Sequence, residues 1–166
     1  VIAARENSDL PIFATMSFEE SGRTFFGASV EAMTATLEGL GVSALGVNCS
    51  LGPGQLVPIV ERFCSCSHIP VMVQPNAGLP VMRDGVSHYD VTPDEFAEIS
   101  VKFAEFGVNI LGGCCGTTPE HISALSSVLQ GVPPRTIPQP HSSGELVVSG
   151  LESVHIDLET RNFTNI

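Results

Sequence analysis

This chain repeats a short apolar segment followed by a helical pattern four times. The apolar segments lie at residues 11–17, 44–49, 71–74 and 108–111. The helical patterns cover residues 29–39 and 55–63 and begin again at Thr92 and Thr118. Because each segment is a nearly continuous apolar run, each strand should be covered on both faces. The repeat therefore predicts an α/β fold, with a parallel sheet covered by helices.

Three of the five cysteines follow these predicted strands. Cys49 ends the second segment, and Cys114 and Cys115 follow the fourth inside a glycine-rich run at residues 112–116. Neighbouring side chains on a regular strand point to opposite faces and could not share one ion, but glycine permits backbone angles that turn both thiols toward one point. Since all β-to-α loops of a parallel β/α fold open on the same side, the pattern predicts a three-thiolate metal site. A vicinal disulfide and buried free thiols remain the alternatives.

Composition restricts the partners of the chain. Its 166 residues are 43% apolar and 15% charged, and the formal net charge of −11 with no Lys/Arg cluster argues against nucleic acid. No apolar run approaches the ~20 residues needed to cross a bilayer, and no targeting segment is recognisable, so a cytoplasmic protein is expected. An odd number of cysteines without secretory features favours metal or free thiols over a disulfide framework. We accordingly assign Cys64 and Cys66, near His68, to packing or free thiols.

Four motifs carry a resemblance to a known family. They are FATMSFE at 13–19, GVNCSLGP at 46–53, VQPNAG at 73–78 and GGCCGTTP at 112–119. In order and spacing they resemble the zinc-dependent homocysteine S-methyltransferase domain of cobalamin-dependent methionine synthases. The segment LVVSGLE at 146–152 resembles the linker that leads to the folate-binding domain in those enzymes. This linker-like segment favours cobalamin-dependent methionine synthases over betaine-dependent and other homocysteine S-methyltransferases.

The resemblance implies a 5-methyltetrahydrofolate–homocysteine S-methyltransferase activity. Zinc on Cys49, Cys114 and Cys115 would hold homocysteine as a thiolate, and cobalamin on another domain would supply the methyl group that gives methionine. By the same analogy, Asn76 occupies the fourth zinc position in the absence of substrate. Its alternative role is that of a turn asparagine that hydrogen-bonds its own backbone.

Three further residues are candidates for substrate contacts. Asn48 and Gln74 are placed to hydrogen-bond the thiolates or the substrate, or simply to satisfy backbone groups at a strand end. Glu19, just beyond the first strand, is a candidate for binding the substrate amino group, and a solvated loop carboxylate is the alternative.

Four β/α units are half of an eight-stranded barrel, which normally needs about 250 residues. We therefore expect residues 1–131 to be the carboxyl-terminal half of a TIM (β/α)8 barrel within a longer protein. Residues 132–166 are expected to form a Pro/Ser-rich linker and an extended tail. The open sheet edges predict self-association, and this half alone is expected to lack activity. A metal site with a purely structural role is the non-enzymatic alternative.

Overall fold

The computed structural model describes residues 1–138 and 144–165, and its core alternates strands with helices as the sequence predicts. In chain order the elements are α1 (Ile2–Asn7), β1 (Phe13–Met16), α2 (Val30–Gly39), β2 (Ala44–Asn48), α3 (Pro53–Cys66), β3 (Val71–Gln74), β4 (Val81–Arg83), β5 (Val86–His88), α4 (Pro93–Phe106), β6 (Ile110–Leu111), α5 (Pro119–Val128), β7 (Glu145–Ser149), β8 (Ser153–Asp157) and β9 (Phe163–Asn165).

Four strands form a parallel sheet in the order β1-β2-β3-β6. Each consecutive pair is joined through a helix, and this connection brings every strand back in the same direction. The register pairs Asn48 at the end of β2 with Gln74 at the end of β3. The carboxyl ends of the strands therefore meet along one edge, where the loops that carry the three cysteines also begin.

The core lies between this sheet and its helices. Leu45 and Val47 of β2 are fully buried, as are Val71 and Val73 of β3, so these apolar side chains form part of the core. Phe63 of α3 is likewise buried and meets Phe18 edge to face, with ring centroids 5.5 Å apart. These contacts hold the sheet rigid beneath the loops at its carboxyl edge.

Several elements differ from the sequence-based prediction. Helix α3 begins at Pro53 and not at residue 55, because proline at the first helical position leaves no unpaired N–H. Strand β6 is limited to Ile110 and Leu111, because the N–H of Val108 bonds the carbonyl of Phe103 and closes the preceding helix. A hairpin of β4 and β5 also stands in the loop after β3. Its turn is Asp84-Gly85, a dipeptide that favours tight hairpin turns.

The segment expected to be an extended tail is instead a small antiparallel sheet of β7, β8 and β9. It packs on α2 through a hydrogen bond from the Ser29 N–H to the Leu151 carbonyl (2.8 Å) and a contact between the hydroxyls of Thr36 and Ser149 (2.7 Å). Successive hairpins satisfy the backbone groups that an extended strand would leave unpaired. Pro140, Ser142 and Ser143 of the predicted linker lie outside the described residues. No helix in the described ranges has both the length and the hydropathy that a bilayer crossing requires.

Candidate metal centre

The three cysteines predicted as metal ligands lie together at the carboxyl edge of the sheet. The Cys49 and Cys115 sulfurs are 3.6 Å apart, and those of Cys114 and Cys115 are 3.8 Å apart. All three sulfurs lie within 4.8 Å of one another. Among the residues that the structure describes, this is the one cluster of three or more such side chains close enough to share an ion.

The backbone around Cys49 turns sharply to present its thiol. Cys49 and Ser50 both have left-handed angles, with φ of 65° and 63°. Such angles are uncommon for residues other than glycine and carry a conformational cost. The turn is held at both ends, because the Cys49 N–H donates to the Gln74 carbonyl (2.9 Å) and its own carbonyl accepts from the Leu51 N–H (2.8 Å).

Hydrogen bonds to the loop after β3 position the other two cysteines. The Cys114 N–H donates to the Pro75 carbonyl, and the Cys115 carbonyl accepts from the Ala77 N–H, each at 2.8 Å. The Thr117 hydroxyl closes the turn by donating to the Cys114 carbonyl at 2.7 Å. The thiols of adjacent residues can converge because these bonds replace the regular strand pairing.

Two of the predicted neighbours touch the cysteines directly. The Asn48 amide donates to the Cys114 sulfur at 3.3 Å. Asn76 is buried, and its amide oxygen accepts from the Cys115 N–H at 3.1 Å. Both asparagines therefore contact the candidate ligands, Asn48 at a sulfur and Asn76 at the backbone.

The other two candidates lie farther from the sulfurs. Gln74 holds the Cys49 N–H through its backbone carbonyl, and its side chain lies against Gly112. Glu19 is exposed in the turn after β1, where its N–H donates to the Arg23 carbonyl at 2.8 Å. Its carboxylate is not among the side chains that the described structure groups around the three thiols.

The surroundings separate the acidities of the two half-buried thiols. At Cys49, burial disfavours the thiolate, but hydrogen bonds from the Ser50 N–H, the two neighbouring thiols and Asn76 outweigh burial and lower its pKa. At Cys114, burial and the hydrogen bonds it makes to Cys49 and Cys115 raise the pKa to about 11. Without metal, Cys49 therefore ionises before Cys114.

The donor set and its spacing fit zinc. Tetrahedral zinc with Zn–S bonds of about 2.3 Å places neighbouring sulfurs roughly 3.8 Å apart. The closest sulfur pairs of the cluster, at 3.6 and 3.8 Å, already have this spacing. Three soft sulfur donors also favour zinc over magnesium or calcium, which take oxygen ligands.

Cys64 and Cys66 remain free thiols outside the cluster. Burial raises the pKa of both, that of Cys66 to about 11. Another neighbour of the cluster is Tyr89, whose ring lies against Gly116, the residue after Cys115. A single tyrosine in a polar loop carries no spacing or motif that could have singled it out.

Alkylation of the metal-free, reduced chain should distinguish Cys49 from Cys66. The pKa of Cys49 lies below its ordinary value of 9.0 and that of Cys66 is about 11, so at about pH 8 a much smaller fraction of Cys66 is thiolate. We expect iodoacetamide to label Cys49 before Cys66, as measured by peptide mass spectrometry over time. Equal labelling rates at this pH would contradict the hydrogen bonding described around Cys49.

Comparisons with known proteins agree on one family. The sequence model of the homocysteine S-methyltransferase family matches residues 1–129. Methionine synthase of Mycobacterium leprae is 38% identical over 145 residues, and that of Mycobacterium tuberculosis is 38% identical over 129 residues. These matches cover 86% and 77% of this chain but only 12% and 11% of the relatives.

Solved structures share the fold. The metallated form of the homocysteine methyltransferase MmuM from Escherichia coli aligns with a TM-score of 0.59 and 23% identity, over 76% of this chain and 38% of that one. Its apo form aligns with a TM-score of 0.61 and 22% identity, over 75% of this chain and 42% of that one. At this identity the likeness concerns the fold alone.

Proposed function

Because the chain belongs to the homocysteine S-methyltransferase family, we propose that it holds zinc through Cys49, Cys114 and Cys115 and activates homocysteine for methylation. The observation that carries this proposal is the convergence of the three sulfurs, two pairs of them at the spacing of a tetrahedral zinc site. When bound, zinc supplies a Lewis acid that lowers the pKa of the substrate thiol.

The chain's own residues keep the site anionic and oriented. Three thiolates outweigh the two positive charges of the ion, so electron density stays on a substrate sulfur that joins them. The Asn48 amide donates to the Cys114 sulfur, and the Asn76 amide oxygen accepts from the Cys115 N–H. These bonds fix the side-chain orientations before substrate arrives, which reduces the reorganisation needed on binding.

The methyl donor lies outside this chain in our proposal. The relatives at 38% identity are named methionine synthases, and the chain spans about 12% of the length of the first of them. We propose that the chain is part of a cobalamin-dependent methionine synthase, in which cobalamin and folate domains of the same polypeptide supply the methyl group. These names favour that enzyme over betaine-dependent or other donors.

The four parallel strands are proposed to be half of an eight-stranded barrel formed by residues 1–131, with residues 132–166 leading to the next domain. The support is their consecutive order and the fold shared with MmuM. Strands β1 and β6 are the edges of the sheet, and Phe13 of β1 is 54% exposed. Self-association through these edges stays a prediction, and sedimentation as a compact monomer would contradict it.

A closed structural zinc site is the second candidate, and the position of Asn76 favours it. This residue is buried beside the thiols, so its amide oxygen is a ready fourth ligand. Structural zinc sites are closed by four protein ligands, whereas catalytic sites leave one position to substrate.

X-ray absorption at the zinc edge separates the two functions. If the site activates substrate, the sulfur count should rise from about three to about four when homocysteine is added. The matched control is homoserine, which replaces the thiol with a hydroxyl and should leave the sulfur count unchanged. A shell that keeps four protein ligands in the presence of homocysteine would support the structural site and overturn the proposed activation.

A further inference from the structure

The loop between β3 and α4, residues 75–92, closes on itself beside the cysteine segment. The Val91 N–H donates to the Ala77 carbonyl (3.1 Å), so the two ends of the loop are bonded to each other. They also pack closely, since a Cβ added to Gly78 would lie 2.9 Å from the Cγ2 atom of Val91. A shift of Val91 would therefore also move Ala77 and the residues beside it.

The first end of this loop holds the backbone of Cys115. The Ala77 N–H donates to the Cys115 carbonyl (2.8 Å), and the Asn76 amide oxygen accepts from the Cys115 N–H (3.1 Å). Both polar backbone groups of Cys115 are thus bonded to the loop. Its thiol is the most exposed of the three, so the position of this sulfur depends more on the backbone than on side-chain packing.

His121, in the first turn of α5, ties the other end of the loop to that helix. The residue is buried, with 6% of its surface exposed. Its Nε2 atom lies 2.9 Å from the Val91 carbonyl oxygen, and its Nδ1 atom lies 3.2 Å from the backbone nitrogen of Thr118. Because a carbonyl can only accept and a backbone N–H can only donate, Nε2 carries the hydrogen and Nδ1 is the acceptor. The imidazole is therefore neutral in this geometry, with both nitrogens bonded.

Capping of α5 requires only one of these two bonds. An acceptor at the third helical position, usually glutamate or glutamine, satisfies the N–H of the residue before the helix, as His121 does for Thr118. The donor at Nε2 is not needed for capping, and it serves the Val91 carbonyl. The ring of Phe96 in α4 meets the imidazole edge to face, with centroids 5.5 Å apart, and restricts its plane. His121 therefore joins α4, α5 and the loop at one point.

We propose that His121 is a positioning residue of the metal centre. By bonding the Val91 carbonyl it holds the loop against α5, and the loop in turn holds the Cys115 backbone. The Cys115 sulfur then stays within 4.8 Å of the other two. The proposal rests on the zinc site proposed above. Residues that orient metal ligands from behind typically change metal affinity or activity by 10–100-fold when they are removed.

Two substitutions separate the bonds of His121 from its bulk. In His121→Gln the amide oxygen can accept from Thr118 and the amide N–H can donate to Val91, whereas His121→Leu removes both bonds. We expect His121→Leu to release zinc to a chelator at least about 10-fold faster, and to shift the thiolate-to-cobalt absorption bands of the cobalt-substituted protein. His121→Gln should restore both properties. His68→Gln is the matched control, because His68 contacts Glu38 (3.3 Å) outside the cluster, and it should alter neither.

Amide hydrogen exchange in the metal-free chain tests the same path. We expect the amides of Ala77 and Cys115 to exchange faster in His121→Leu than in the unmodified chain, but not in His121→Gln. The Leu45 amide, bonded to the Pro70 carbonyl in the sheet (3.0 Å), reports global stability and should keep its rate. If Leu45 accelerated by the same factor, His121 would only stabilise the fold, and the positioning role would be overturned. Unchanged exchange at Cys115 would also overturn it.

The tautomer of His121 in the unmodified chain is a third measurement, and it requires no metal. Nitrogen NMR near neutral pH should show Nε2 protonated and Nδ1 unprotonated, with the signals assigned through their disappearance in His121→Gln. A hydrogen on Nδ1 would refute both bonds, even if His121→Leu failed to fold. Absence of zinc from the unmodified chain would instead count against the proposed function, and exchange of the Cys115 amide would still decide whether His121 holds that residue.

Discussion

Replacing Cys114 with serine is expected to reduce bound zinc from about one ion per chain to nearly none. Zinc binding supplies the free energy that removes the Cys114 proton, which is held in the metal-free protein with a pKa of about 11. A serine hydroxyl ionises far less readily than a thiol and is not among the usual zinc ligands of proteins, which are cysteine, histidine and carboxylates. Elemental analysis of the reduced, dialysed protein measures the change directly.

Cys66→Ser is the matched control for this experiment. Cys66 is also partly buried and also has a pKa of about 11, but its sulfur donates to the Thr34 hydroxyl, away from the cluster. We expect this variant to keep its zinc. Stoichiometric zinc in Cys114→Ser would refute the three-thiolate site. If the unmodified chain held no zinc but a protein of the relatives' length did, the site would need residues beyond these four β/α units.

Gly46→Ala is expected to destabilise the fold by more than about 4 kcal/mol, beyond the range of most single substitutions. A Cβ at Gly46 would lie 1.8 Å from the Met72 carbonyl oxygen and 2.8 Å from its carbonyl carbon. These are backbone atoms of the paired strand β3, so they cannot move aside as a flexible side chain would. The two strands must separate, and chemical denaturation of the soluble variant measures the loss of free energy of unfolding.

This separation should also impair metal binding, because Gly46 pairs with Met72 two residues before Asn48 pairs with Gln74. Gly39→Ala is the matched control: it lies at the end of α2 with no atom within 4 Å of the added Cβ. We expect that change to be neutral or to stabilise the protein by about 0.5–1 kcal/mol. If Gly46→Ala unfolded at the same denaturant concentration as the unmodified chain, the close approach of β2 and β3 would be refuted.

The sequence-based prediction agrees best with the structure for elements that are determined by neighbouring residues. Apolar runs and helix starts such as Thr92-Pro93 depend on neighbouring residues, so the parallel α/β core could be predicted directly. The sheet at residues 145–165 could not be predicted from the sequence, because its strands are stabilised by pairing with one another and by packing on α2. The hairpin of β4 and β5 had a turn signal in Asp84-Gly85, but its strands of three residues are too short to show a reliable period.

By itself, the sequence determined which residues could form the candidate metal centre. Cysteines that follow two strands of a parallel sheet must emerge on the same side, so Cys49, Cys114 and Cys115 were identifiable before the fold was known. Only the tertiary structure decided which residues hold them. The left-handed turn at Cys49, the contact of Asn48 with Cys114 and the packing of Tyr89 on Gly116 join segments that are distant in sequence. Such contacts arise from the three-dimensional path of the loops, which no periodicity of the chain encodes.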